Sequence, residues 1–376
     1  MLRTQRSHPP GRRVRTAVAV GAFGLTLSLA GCGGEDAEAA SCAGGDTAGG
    51  SGSGSESEEA EVEPVDDAQL VVYSGRNEEL VGPLYEQFTD ETGVEVSVRY
   101  ADSATLAGQL LEEGSRTPAD VFLSQDAGAL GALAKGGCLV ELSDEVLDQV
   151  PAEYRSDDGN WVGLTGRARV IIYNPDLVSE GELPDSLEDV NDEQWRGQVG
   201  IAPGNASFQA MVTAIRVLDG EDAARSFLEG LVDNDAEIYE GNGAILDAVD
   251  AGDVAIGLIN HYYRFELAAE VGEDNVTAQL HYLQDGGAGS LVNVSGVAQL
   301  AQADRAEDAQ ALIDFLLSES AQTYFAVETY EYPLVEGVPV EDSLPDLDSL
   351  EAPEFDLSDL DSLAVTTELI DEVGLS

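Results

Sequence analysis

The sequence predicts an α/β protein of about two domains. Residues 68–376 number 309 (376 − 67), a length that fits about two domains. Three short apolar runs, Ala68–Tyr73, Val94–Tyr100 and Ala119–Ser124, alternate with two stretches of helical spacing. That order, strand, helix, strand, helix, strand, calls for a parallel sheet with helical crossovers. Further along, the apolar run Ala255–Ile259 ends abruptly in Asn260-His261-Tyr262-Tyr263, and in open α/β sheets ligands bind at strand ends of this kind.

The elements follow in order. After the first strand, Ser74-Gly75-Arg76-Asn77 makes a turn. Glu78–Thr92 carries Leu80, Val81, Leu84 and Phe88 on one helical face and stops at Gly93. Ser103–Gly114 is a second helix, and Gln125-Asp126 closes the third strand. Trp161–Tyr173 reads as two strands separated by Gly163 and Gly166. Gln198–Ile201 is a short strand; Pro203–Ser207 is a turn leading into the helix Phe208–Leu218. Asp253–Ile259 is the strand that feeds the tyrosine pair, and Val292–Leu300 is another. Ala306–Leu317 and Glu319–Val327 are helices; the acidic, proline-containing tail from Asp342 to Asp361 leads to a last helix at Leu363–Val373.

The N-terminal residues lie outside this pattern. Five arginines (Arg3, Arg6, Arg12, Arg13, Arg15) precede the apolar stretch Thr16–Ala30, which ends in Leu29-Ala30-Gly31-Cys32. This is a signal peptide over residues 1–31, and Leu-Ala-Gly-Cys resembles a bacterial lipoprotein box with Cys32 as the lipid-bearing residue. The segment 32–67 is Gly, Ser, Ala and Glu almost throughout; it cannot bury surface and is expected to be a disordered tether.

With 17 Lys and Arg against 73 Asp and Glu, the formal charge is −56. Loss of the five leader arginines makes it −61, and Lys135 is the only lysine. Phosphate contacts need basic residues, so nucleic acid is excluded as a partner. The carboxylates are spread along the chain, which suits a surface soluble in high salt. After Cys32 only Cys42 and Cys138 remain; with Cys42 inside the tether a bridge between them is not favoured, though an oxidising compartment would permit one.

No phosphate-binding loop, nucleophile elbow or His-Glu-x-x-His motif occurs. Two clusters carry what chemistry there is. Adjacent strand residues point to opposite faces, so Tyr262 and Tyr263 converge only if the chain turns out of the strand there. The residues leave two readings open, an aromatic pair capping a core or a pair of hard oxygen donors for a highly charged cation. The second cluster is Asn205-Ala206-Ser207 ahead of a helix, an N-cap and equally an anion site. Tyr239-Glu240-Gly241-Asn242-Gly243 is a weaker turn of the same kind. Ferric ion prefers anionic oxygen, and an exogenous anion at a helix N-terminus would complete a shell that two phenolates leave unfilled.

Five stretches carry a resemblance: VYSGRNE (72–78), EGSRTPADVF (113–122), LTGRARV (164–170), NHYY (260–263) and EYPL (331–334). In order and spacing the chain resembles the ferric-ion-binding proteins of bacterial iron ABC importers, analogues of transferrin. The resemblance implies a two-lobed periplasmic-binding-protein fold, type II-like, with two α/β domains joined by a hinge. The lobes would be 68–168 plus 294–340 and 169–293 plus 341–376. It implies Fe3+ with a synergistic carbonate or phosphate, a permease and ATPase as partners, an extracytoplasmic monomer anchored to the cell membrane, and no catalysis. By position, Tyr262 and Tyr263 match the metal ligands. Asn205, Ala206, Ser207, Asn242 and Asn260 match anion contacts, and Arg167 and Arg169 match charge-balancing residues near the hinge. His261 matches no ligand position.

The chain also departs from that pattern. Asn77 stands where family members place a histidine, Gln125 followed by Asp126 where they place a glutamate, and Phe208 where some add a tyrosine. Asn77, Gln125 and Asp126 are therefore weaker or indirect donors. The alternatives are a receptor for an oxyanion or small organic anion without metal, and a cleft hydrolase using Asp126 and His261.

Overall fold

In the computed structural model the described residues are Cys42, 69–340 and 344–375, all within one compact unit, Ala39–Ser376. The leader, Cys32 and most of the tether lie outside them. Ten strands connect into one sheet among the described residues: β1 Leu70–Ser74, β2 Val96–Tyr100, β3 Val121–Ser124, β4 Val162–Tyr173, β5 Val199–Ile201, β6 Glu237–Ile238, β7 Ile256–Asn260, β8 Gln279–His281, β9 Val292–Gln299 and β10 Tyr332–Pro333. The order is β2-β1-β3-β9-β4-β7-β5-β6, with β8 and β10 also paired to β4.

The first three strands pair in parallel as expected. The rest of the sheet is mixed, because β9 runs antiparallel to both β3 and β4, and β4 antiparallel to β7. β1, β3, β4 and β7 are buried at every position. Coverage on both faces leaves no polar alternation to read in such strands.

β4 corrects one expectation, since Trp161–Tyr173 is a single strand and not two. Its glycines do not turn the chain. A Cβ on Gly163 would lie 2.5 Å from the Tyr154 carbonyl and 2.7 Å from Leu334 Cδ1, so the residue is small because neighbours approach closely. The register shifts between Gly163 and Thr165 without ending the ladder. Along this strand the pairing changes hands. Val162–Ala168 pairs with β9, and Arg169–Tyr173 pairs with β7.

Three longer helices are additional to the expected elements, although Glu221–Asp233 carries Ala224, Phe227, Leu228 and Leu231 on one face at helical spacing. Ala127–Lys135 (AGALGALAK) is one; Glu221–Asp233 and Tyr262–Val271 are the others. In the first, Gly128 and Gly131 admit the carbonyls of Leu360 and Ser358, each within 2.5 Å of where a Cβ would stand. The acidic tail therefore docks on this helix. Trp161 Nε1 donates to Ser358 Oγ at 3.0 Å, and Lys135 pairs with Asp359 and Asp361. The final helix Leu363–Val373 packs on the second half, where Thr366 meets Thr213 at 2.6 Å and Glu372 meets Arg225 at 2.6 Å.

The cysteines give a second correction. Cys42 and Cys138 form a disulfide, and both are buried. The Cys42 N–H also donates to the Gly136 carbonyl at 2.9 Å. Position within a Gly/Ser-rich segment thus did not keep Cys42 from the core, and the expected tether is pinned to the body there. The bridge spans a separation of 96 residues, and closing a loop of that size restricts the unfolded chain strongly. Replacing Cys138 with Ser should lower the unfolding free energy in urea by about 2–5 kcal/mol. Reductant should reproduce that loss in the parent protein and add nothing in the variant.

Candidate ligand site

The site is built where β7 ends. After Asn260 the chain leaves the ladder, and Tyr262 opens the helix Tyr262–Val271. Both tyrosines therefore sit in a first helical turn, on neighbouring positions of one end, and their rings stack with centroids 4.5 Å apart. Burial, and then the neighbouring Tyr263, push the Tyr262 phenol far above its ordinary range. That hydroxyl keeps its proton until a cation displaces it.

His261 fastens this turn. Its Nδ1 accepts from the Ala168 N–H at 3.2 Å, so the proton sits on Nε2, which donates to the Tyr330 carbonyl at 3.0 Å. The ring is fully buried, and burial lowers its pKa to about 4. With both nitrogens committed to backbone, His261 is a neutral brace. Asp126 is likewise engaged, because its carboxylate caps the helix Ala127–Lys135 through the Ala129 N–H at 3.0 Å. The Asp126–His261 pair proposed for hydrolysis has no free base.

Opposite the tyrosines, Asn205 caps the helix Ala206–Leu218, accepting from the Ser207 N–H at 2.9 Å and its hydroxyl at 2.6 Å. The helix starts at Ala206, two residues earlier than periodicity indicates, because the cap and not the apolar stripe sets its beginning. The Ser207 hydroxyl also accepts from Arg169 Nη1 at 2.9 Å and Asn242 Nδ2 at 3.1 Å. One donor and two acceptor positions are then all used, so Ser207 organises the turn.

Arg169 Nη1 also donates to Asn260 Oδ1 at 3.1 Å, yet its Nε and Nη2 are buried with no partner. Burial lowers the Arg169 guanidinium to about 10. Asn242 Oδ1 and Arg167 Nε are also buried and unpartnered, and Arg167 Nη2 donates to the Gln125 carbonyl. Polar atoms buried in this way are costly unless a ligand answers them, and the unanswered groups are mostly donors on cations. The donor set fits an anion.

Gln125, Asp126, Arg167, Arg169, Asn205, Ala206, Ser207, Asn242, Asn260, Tyr262 and Tyr263 line one cavity of about 60 Å³. This is room for ordered water or a small ion. Asn77 is not among them. It lines an adjoining space of about 250 Å³ that shares Gln125, Arg167 and both tyrosines as walls. Arg76, Glu266 and Glu331 face that second space and carried no site assignment from sequence. Arg76 and Glu331 form a buried ion pair at 3.0 Å, and Thr165 donates to the other Glu331 oxygen. Burial pushes the Glu331 carboxyl up, but Arg76 and Arg167 hold it below the usual range. The Glu266 carboxyl is raised to about 7 by partial burial and then by Glu331. A buried pair 255 residues apart has no local signature, whereas Glu266 was findable at helical spacing from the tyrosines.

Among the described residues no group of three or more His, Cys, Asp and Glu could hold a metal. A cation at this site therefore depends on the phenols.

Residues 116–359 match the model of a family of bacterial extracellular solute-binding proteins. The Fe(3+)-binding periplasmic protein of Serratia marcescens is 34% identical over 310 residues, which cover 82% of this chain and 91% of that protein. Iron-bound HitA from Pseudomonas aeruginosa superposes with a TM-score of 0.75 at 34% identity, over 82% of this chain and 99% of that one. The Trichodesmium protein (IdiA, FutA) in complex with iron and citrate ligands gives 0.72 at 30%, over 82% and 100%. The fold is the two-lobed periplasmic-binding-protein fold.

The His261 brace has a pH signature. Its folded pKa lies below the unfolded value of about 6.5, so the unfolded chain binds the extra proton. His261 therefore contributes stability above about pH 6.5 that is lost as pH falls toward about 4, by about 3 kcal/mol. Urea titrations from pH 7 to 4 should show a shallower fall in stability for His261→Gln than for the parent protein. Parallel curves would refute the assignment.

Proposed function

The chain belongs to the bacterial extracellular solute-binding proteins, and on that premise we propose that it binds ferric ion with a synergistic anion and delivers it to an ABC permease and its ATPase. The single observation that carries this reading is the stacked Tyr262–Tyr263 pair facing a buried guanidinium with unpartnered donors. Two phenolates leave one positive charge on Fe3+. Arg167 and Arg169 add to it, so the site calls for an anion beside the metal, carbonate or phosphate. The anion would meet Arg169 and Asn242 at the positive end of the helix Ala206–Leu218, whose Ser207, Phe208 and Gln209 N–H groups are already bound to Asn205. It works as a binding protein and not an enzyme.

The lobes we assign are 68–168 plus 294–340 and 169–293 plus 341–376. The change of partner along β4 between Ala168 and Arg169 supports that boundary, and the cavity would then lie at the lobe junction. Lipid on Cys32 would hold the monomer at the outer face of the cell membrane, a reading that rests on the Leu-Ala-Gly-Cys sequence. The unpartnered Arg169 nitrogens also favour a second reading, an anion receptor that needs no metal.

Titration with ferric citrate in bicarbonate or phosphate should develop the visible phenolate-to-iron band. Tyr262→Phe combined with Tyr263→Phe should abolish it. Since iron must displace the phenol protons, affinity should fall as pH falls. A colourless parent protein would sink the ferric reading, and anion binding that persists undiminished without metal would favour the second.

A further inference from the structure

Ferric ion takes about six hard donors, and the first half of the molecule supplies few. Asn77 and Gln125 are neutral amides. The Asp126 carboxylate caps a helix, and the Glu331 carboxylate is held by Arg76 and Thr165. One anionic oxygen group near the tyrosines remains uncommitted. Glu266 lies four residues after Tyr262 and three after Tyr263 on the same helix, the two spacings that bring side chains onto one face. It lines the 250 Å³ space whose walls include both tyrosines. Among the described residues its carboxylate has neither a hydrogen bond nor an ion pair. Its side chain is exposed to solvent, so a ligand from solvent can reach it.

We propose that Glu266 is a direct ligand of the ferric ion, supplying the carboxylate that Asn77 and Gln125 do not. This rests on the ferric reading above. Two phenolates and one carboxylate neutralise Fe3+ from a single helical turn and a half, so the metal is claimed by one element of the second half. The anion on the Arg169 side then fills positions that the first half leaves open. A carboxylate on a solvated helix face would do none of this, and the two cases differ in what the iron reports.

The test compares parent protein, Glu266→Gln, Glu266→Asp and Glu270→Gln. Glu270 is an exposed carboxylate on the same helix and controls for loss of charge alone. Ferric affinity would be measured by citrate competition at fixed bicarbonate, and the phenolate-to-iron band recorded for each. Glu266→Gln should weaken binding on the order of 100-fold and move the band maximum, because the donor set on iron has changed. Glu266→Asp should recover part of both, and Glu270→Gln should match the parent protein. Affinity within twofold of parent for Glu266→Gln, or weakening with an unmoved band, would overturn direct ligation. A parent protein without the band would overturn the ferric reading itself, and this inference with it.

Discussion

Two guanidinium groups buried two positions apart on one strand set the conditions for everything around them. Arg167 and Arg169 lie on the same face of β4 and are each less than 5% exposed. Burying charge is expensive unless it is answered, and the neighbourhood answers it unequally. On the Arg167 side, Glu331 lies close, with Arg76 and Thr165 bound to it. On the Arg169 side only neutral partners are present, the oxygens of Ser207 and Asn260. One cation is balanced within the protein and the other has only dipoles to face. That asymmetry favours the proposed anion on the Arg169 side of the tyrosines and the proposed carboxylate on the other.

This arrangement inverts the character of the chain as a whole. A molecule of formal charge −56 gathers Arg76, Arg167 and Arg169 at the walls of two adjoining spaces. The surface is suited to dissolve the protein. The interior is suited to hold an anion together with a trivalent cation, a pair that neither charge alone would stabilise there.

How much could be read beforehand follows from how local each feature is. The first three strands, the two helices between them and the Asn205 cap rest on short-range patterns, and they stand within a few residues of where those patterns put them. The tyrosine pair was legible because a strand cannot aim two adjacent side chains at one ligand, so a turn out of the strand was implied, though not the helix that follows. β4 was misread as two strands because Gly163 and Gly166 answer to Leu334 and Val292, residues far along the chain. The Ala127–Lys135 helix was missed for a similar reason, its glycines being spaces for the tail. The Arg76–Glu331 pair and the role of Ser207 as an organiser depend wholly on tertiary contacts. The family resemblance named candidate residues, and the structure separates Asn77 from the cavity that the other candidates in the body line.

The Cys42–Cys138 bridge has a consequence for reach. Counted from a lipid on Cys32, as proposed, the first point fastened to the body would otherwise be β1, 38 residues on (70 − 32), a contour of about 130 Å when fully extended. The bridge moves that point to Cys42, 10 residues on (42 − 32), or about 35 Å. With that anchor the bridge would act as a ruler, holding the body near the bilayer by its Cys138 side. Where the shorter leash still spans the distance, effective concentration falling roughly as the −3/2 power of linker length would raise the local concentration at a membrane partner roughly sevenfold. A cross-link in the body would thereby set how often an anchored protein meets a membrane partner.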